Sequence, residues 1–385
     1  MSSMTTLAQV HAMLPGSKLL NISVQDAQAL NISRVGTDSR QIESSELFVA
    51  LSGERFDAHD FLSDVAKAGA SSALISNQDK CPANLSAVCV ADTRLGLGEL
   101  AKEWRKNHPI PLAVVTGSNG KTTVKEMIAS IFKAAVGEHH TLVTKGNLNN
   151  DIGLPLTLLK LRATDRLAVV ELGMNHPGET AQLADIAQAN IALINNAQRE
   201  HQEFMATVAA VADEHADAIK ALAKDGIAVF PADSEFTPVW QEAAAGRKVI
   251  DFVLLSGNTK SRASVMGTLL NNGHVQVQTE FGSVEIQLNT LGNHDVRNAL
   301  AACSPTLWKK YVTSISRSLS YLLWLDPPFP DFPGIPEVIF SITSKRSPSS
   351  IPKLAFFESM LISPTTLWSL SITLSGSNWK WLLTS

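Results

Sequence analysis

Residues 112–135 read LAVVTGSNGKTTVKEMIASIFKAA. Leu112 to Val115 is a short apolar run of the kind a buried strand shows. Thr116 to Gly120 carries Gly117 and Gly120 and reads as a tight turn. From Lys121 onward, Val124, Met127, Ile128, Ile131, Phe132 and Ala135 recur at helical spacing, so one face turns to a core. Strand, glycine turn and a helix opening on Lys-Thr-Thr is a phosphate-binding arrangement. Backbone N–H groups at the helix start point at the anion, and the helix dipole favours it. The expected cradle is Thr116, Gly117, Ser118, Asn119 and Gly120, with Lys121, Thr122 and Thr123 opening the helix. Lys121 is expected to reach the β- and γ-phosphates of a bound nucleotide, and a threonine hydroxyl to hold a magnesium ion. Val115 stands where the common pattern has glycine, so the match is incomplete. The plainer alternative, a glycine turn before an ordinary amphipathic helix, is disfavoured by the strand–turn–helix context.

The chain has 385 residues, enough for two or three domains with a large core. Charged residues make up 18% and the formal net charge is −4, which gives no electrostatic footprint for nucleic acid. Cys81, Cys89 and Cys303 are an odd set without metal-ligand spacing. They fit a reducing cytoplasm better than a disulfide frame or a zinc site. The opening MSSMTTLAQVHAML lacks a basic region followed by a long apolar one, so no signal peptide is expected. No run approaches the ~18 apolar residues of a membrane span.

Residues 1–106 read as a small α/β domain. Apolar strands (Leu47–Leu51, Ser72–Ile75, Ala87–Val90) alternate with helical patterns at Phe61–Gly69 and Leu95–Trp104. Asp38, Ser39 and Arg40 form a polar loop between strands, suited to a phosphate or sugar or to no more than a solvated turn. His108-Pro109-Ile110-Pro111 marks a linker into a second domain over 107–303. After the first helix comes TKGNLNNDIGLP, residues 144–155, leading to a helical stretch from Leu156. Thr144, Asn149 and Asn150 offer uncharged donors and acceptors for a ligand, or serve as turn and cap residues. The strand Leu167–Val170 ends on Glu171. Ligands of open parallel sheets gather at the carboxyl ends of strands, so Glu171 faces the same crevice as Lys121, as a magnesium ligand or as one side of a structural pair. Ile191–Asn195 is another buried strand, followed by His201. Gly226–Phe230 and Lys248–Leu254 complete the set. Val275–Thr279 and Val284–Leu288 alternate as a hairpin, and Leu291 to Ala302 opens a helix carrying His294 and Asn298.

These stretches also carry a resemblance. TGSNGKTT is similar to the nucleotide loop of the Mur ligases and of folylpolyglutamate synthases, which activate carboxylates with ATP. TDSRQIESSELFVALSGERFDAHDF resembles the first Mur ligase domain, which holds the UDP part of the substrate; Ala58 stands where glycine is frequent. GNLNNDIGLPLTLL and ELGMNHPGE resemble the members that add D-Ala-D-Ala. The resemblance implies ATP-dependent ligation of D-Ala-D-Ala to UDP-MurNAc-tripeptide in the cytoplasm, by a monomer acting on neither nucleic acid nor membrane. It implies Thr122 and Glu171 on a first magnesium ion, His201 on a second, Asn298 on adenine, and Asp38, Ser39, Arg40, Thr144, Asn149 and Asn150 on substrate. Lys121, Glu171 and His201 are the implied catalytic residues. Where the family has a carbamylated lysine, this sequence has His215, which leaves the second metal to be organised differently or weakened.

The expected fold is α/β: the small UDP-binding domain, a central P-loop-type parallel-sheet ATPase domain, and a third Rossmann-like domain missing or replaced. At about Ser304 the composition changes. Only Ala355 follows among alanines, and Trp308, Trp324, Trp368, Trp379 and Trp381 cluster there. Residues 304–385 show no sustained period in this reading and are expected to be out-of-frame or disordered. Two alternatives to an active ligase follow: a remnant that binds nucleotide and UDP-sugar without ligation, and another Mur-type or folylpolyglutamate-type ligase.

Overall fold

The computed structural model describes residues 3–53, 56–199, 207–256, 262–271, 273–288 and 292–307, and the backbone of 369–375 and 378–384. Met1–Ser344 form one compact unit and Lys345–Ser385 a second.

In the first unit the chain builds two main sheets among the described residues. The smaller runs Lys18–Leu20, Ser86–Cys89, Ser72–Ile75, Glu46–Val49, Arg34–Gly36 in spatial order, parallel except for the first pair. The larger is nine-stranded. From one edge it runs Thr141–Val143, Leu167–Glu171, Leu112–Thr116, Ile191–Ile194, Ile227–Pro231, Lys248–Leu255 and Val265–Leu269, all parallel. His274–Thr279 and Gly282–Gln287 then close the other edge antiparallel, with Thr279 paired to Gly282.

The central strands are apolar throughout because helices cover both faces. Val114, Val170, Ile194 and Phe230 point into one core cluster, and their neighbours Val115, Val169, Leu193 and Val229 point into another. The Lys121–Val136 helix supplies Val124, Met127, Ile128 and Phe132 to the second cluster, where it meets Val296, Ala299 and Leu300 of the Asn293–Cys303 helix. The Thr93–Lys106 helix packs on the opposite face and ties the two sheets together. Gly96 lies against Val90 and Leu74, Gly98 against Ile186, and the Trp104 indole donates to the Leu161 carbonyl at 3.2 Å.

Several expected boundaries move. The helix expected from Leu156 spans Gly153–Leu158 instead: Asn150 Oδ1 accepts the Gly153 N–H, and Pro155 fits the first turn. The second hairpin strand is Gly282–Gln287 rather than Val284–Leu288. Val265–Leu269 was not foreseen; with Gly267 and Thr268 in a five-residue strand its apolar signal is thin. In the second unit, Ser369–Ser375 pairs antiparallel with Asn378–Thr384. Leu370, Ile372 and Leu374 alternate there with Ser371, Thr373 and Ser375, the period of a strand.

What positions the site is register. Glu171 is level with Val115, and Ile194 with Thr116. Leu172 and Asn195 continue these ladders through their N–H groups to the carbonyls of Val115 and Thr116, each at 2.9 Å. Three adjacent strands therefore deliver the glycine turn, Glu171 and Asn195 to one carboxyl-end crevice.

Candidate active site

The glycine turn needs its glycines. Gly117 has φ +132 and Gly120 φ +76, both in the left-handed half of conformational space. A β-carbon on Gly120 would sit 2.7 Å from Asn298 Oδ1 and 2.8 Å from Asn195 Nδ2. The Lys121 ammonium folds over the turn and donates to the carbonyls of Gly117 at 2.6 Å and Ser118 at 3.3 Å.

The turn is clasped by the segment after the Ile191–Ile194 strand. Ser118 N–H donates to the Asn196 carbonyl (3.2 Å), and Asn119 N–H to Asn196 Oδ1 (2.9 Å). The Gln198 N–H donates to Ser118 Oγ at 2.8 Å, and Asn119 Nδ2 to Gln198 Oε1 at 2.6 Å. The N–H groups of Ser118 and Asn119 are thus taken up by the neighbouring loop. Asn196 and Gln198 escaped the sequence reading because nothing local marks a residue that closes a loop some eighty positions away.

Glu171 is 2% exposed. Its Oε2 accepts from Thr122 Oγ1 at 2.9 Å and its Oε1 from Asn149 Nδ2 at 2.8 Å, while its own N–H donates to Thr144 Oγ1 at 3.1 Å. Gly173 N–H donates to the Asn149 carbonyl at 2.8 Å. Four expected site residues, Thr122, Thr144, Asn149 and Glu171, therefore meet. Lys125, one helical turn beyond Lys121, is fully buried; its Nζ lies 2.9 Å from the Thr144 carbonyl and 2.7 Å from Glu126 Oε1. It was not foreseen, although a lysine flanked by Val124, Met127 and Ile128 on a core-facing helix is a readable oddity. Asn150 Oδ1 accepts from Gly153 N–H at 2.8 Å, the turn and cap role that the sequence left open beside ligand binding.

Asn298 is 8% exposed and reaches the turn through Asn195, whose Nδ2 lies 2.8 Å from Asn298 Oδ1. His215 is fully buried with its Nδ1 3.0 Å from Thr116 Oγ1, so the histidine at the expected lysine position anchors the end of the central strand. Glu214 beside it caps the Glu179–Ala187 helix, accepting from Gly178 and Thr180 N–H groups at 2.9 and 2.8 Å. His201 lies outside the described residues. Thr123 is half-buried in the helix's first turn.

Asp38 and Arg40 follow the Arg34–Gly36 strand of the smaller sheet, with Ser39 between them. They pair with each other: the guanidinium contacts both carboxylate oxygens at 2.8 Å. Hydrogen bonds from the Arg40 side chain, and then from its backbone N–H, hold the Asp38 carboxyl down to about 2.

Among the described residues no group of three or more His, Cys, Asp or Glu side chains is placed to hold a metal ion. The donor set at the crevice suits Mg2+ all the same. A hydroxyl and a carboxylate are hard oxygen ligands, and Mg2+ binds through one or two protein oxygens, completing its shell with water and phosphate.

Two family models match the chain: "Mur ligase family, catalytic domain" over residues 31–111 and "Mur ligase middle domain" over 115–305. The UDP-N-acetylmuramoyl-tripeptide–D-alanyl-D-alanine ligase of Escherichia coli (strain K12) is 40% identical over 286 residues, which cover 74% of this chain and 62% of that enzyme. A crystal structure of MurF from Acinetobacter baumannii superposes with a TM-score of 0.71 at 32% identity, covering 84% of this chain and 71% of that one. MurF ligase from Thermotoga maritima, solved in complex with ADP, gives a TM-score of 0.61 at 25% identity, covering 71% of this chain and 62% of that one. The chain spans 62% of the length of the first curated relatives it matches. It belongs to the Mur ligase family.

Proposed function

We propose that this chain binds ATP with Mg2+ and UDP-MurNAc-tripeptide, and that its chemistry is the joining of D-Ala-D-Ala to the tripeptide's terminal carboxylate. The observation that carries this reading is the double engagement of Glu171. One carboxylate oxygen meets Thr122 at the start of the nucleotide helix, and the other meets Asn149 of the GNLNND loop. Nucleotide and peptide substrates would thus be held on two sides of one buried carboxylate. Bound ATP supplies the phosphoryl group that activates the substrate carboxylate, and Mg2+ neutralises charge on it. Thr122 and Glu171 would hold the ion. Lys121 would turn its ammonium from the loop carbonyls to the phosphate oxygens, a fixed charge that stabilises the transferring group. His201 would serve a second ion, and Asn298 the adenine.

Residues 1–106, with Asp38, Ser39 and Arg40, would take the UDP part, and residues 107–303 the nucleotide. A monomer working in the cytoplasm fits this role; among the described residues no helix is long and apolar enough to cross a membrane. A second reading, binding without ligation, is favoured by the change of composition after Ser304.

The deciding assay is phosphate release by the full chain with ATP, Mg2+, UDP-MurNAc-tripeptide and D-Ala-D-Ala, against a control without the dipeptide. Dipeptide-dependent release supports ligation. Nucleotide binding without release supports the second reading, and no nucleotide binding overturns both.

A further inference from the structure

Asn195 stands at the carboxyl end of a central strand and is 5% exposed. Its Nδ2 makes two hydrogen bonds of 2.8 Å, one to the Asn119 carbonyl in the glycine turn and one to Asn298 Oδ1 on the Asn293–Cys303 helix. The orientation of both amides follows from this. A backbone carbonyl can only accept, so Asn195 must present its NH2 group to Asn119. The second proton of that group then requires an acceptor, so Asn298 must present its oxygen. The Asn298 amide lies against Gly120, where a β-carbon would sit 2.7 Å from its Oδ1 and 3.1 Å from its Nδ2, and with the oxygen engaged by Asn195 its NH2 group is the half left to address a ligand. A chain of fixed donors and acceptors runs from the turn, through Asn195, to the one amide that the nucleotide reading assigns to the base.

We propose that Asn195 is a positioning residue for nucleotide recognition: it locks the Asn298 amide with its NH2 group toward the nucleotide, as a donor for a purine ring nitrogen. The proposal rests on the ATP-binding reading above. It differs from a role in closing the phosphate turn, because it acts on the base and through Asn298.

The test measures ATP and inorganic tripolyphosphate affinity for the full chain and for Asn195→Ala, Asn298→Ala and the double variant. Loss of one oriented hydrogen bond predicts about tenfold weaker ATP binding for each single variant. The double variant is expected to lose no more than about twofold beyond Asn298→Ala, since coupled residues are not additive. Tripolyphosphate affinity stays within about twofold of the parent chain if the effect is on the base. Asn195→Ser, which keeps a donor for the Asn119 carbonyl but lacks the second one, carries the same cycle if the alanine variant does not fold. Multiplicative losses, unchanged ATP affinity, or a matching loss of tripolyphosphate binding would each overturn the proposal. A parent chain that binds no ATP would instead overturn the nucleotide reading on which it rests.

Discussion

Glu171 and Thr122 lie 49 residues apart in the chain and meet at 2.9 Å, carboxylate to hydroxyl. Neither residue is unusual alone. The parallel pairing that sets Glu171 level with Val115 puts its carboxylate beside the first turn of the helix that the glycine turn begins. Replacing Glu171 by Gln keeps the shape and removes the charge. ATP binding in the presence of Mg2+ should weaken by roughly tenfold, and the difference between measurements with and without Mg2+ should largely disappear. Isothermal titration in both conditions measures this, and an unchanged Mg2+ dependence would place the ion elsewhere.

Gly120 tolerates no side chain. Gly120→Ala combines a left-handed φ with contacts under 3 Å to Asn298 and Asn195. The expected cost is about 1–3 kcal/mol of stability. Nucleotide binding should fall below detection, and binding of UDP-MurNAc-tripeptide, which the proposed function assigns to the smaller sheet, should be unchanged. Urea denaturation and separate titrations with ATP and UDP-MurNAc-tripeptide read these effects independently.

Lys125 holds the second loop of the site from the back of the nucleotide helix. Lys125→Met retains most of the buried stem but leaves the Thr144 carbonyl without its ammonium donor, at a cost of about 1–3 kcal/mol. Since Thr144 also receives the Glu171 N–H, the loop should loosen around the peptide substrate first. The expected signature is weaker muropeptide binding with ATP affinity within about twofold of the parent. Equal losses for both ligands would mean that Lys125 supports the helix rather than the loop.

Glu46 gives a pH prediction. It is fully buried, its Oε1 has no hydrogen-bond partner, and burial raises its carboxyl above the ordinary value against the opposing Glu43 N–H and Arg34 charge. A raised folded-state pKa contributes stability that is present below the unfolded value of 4.5 and is lost as pH rises through the folded one. Glu46→Gln, neutral at every pH, should therefore be more stable than the parent at pH 7, with the gap closing below pH 4.5. Urea midpoints across that range test it; a variant less stable at pH 7 would show that the Arg34 ion pair outweighs the burial.

The glycine turn, the strand before it and the helix after it were legible because each is a local pattern: an apolar run, two glycines, a helical period. Glu171 was legible because strand ends in parallel sheets converge. The cap made by Asn150 was weighed against ligand binding in the sequence and could not be decided there, since an asparagine before a helix serves either purpose. Thr144 and Asn149 were identified as a pair of polar residues, but not that both address Glu171.

By itself, then, the sequence determined the strand–turn–helix at the crevice, the family and the residue types there, because periodicity and turn chemistry act over a few residues. Tertiary structure alone decided who touches whom. It bonded the histidine at position 215 to Thr116, gave Lys125 to the Thr144 carbonyl, and made Asn195 the bridge between the turn and Asn298. Those pairings depend on strand register and helix packing, which bring together groups far apart in the chain. Once buried, each donor must find an acceptor there or lose the hydrogen bonds that water would have given it.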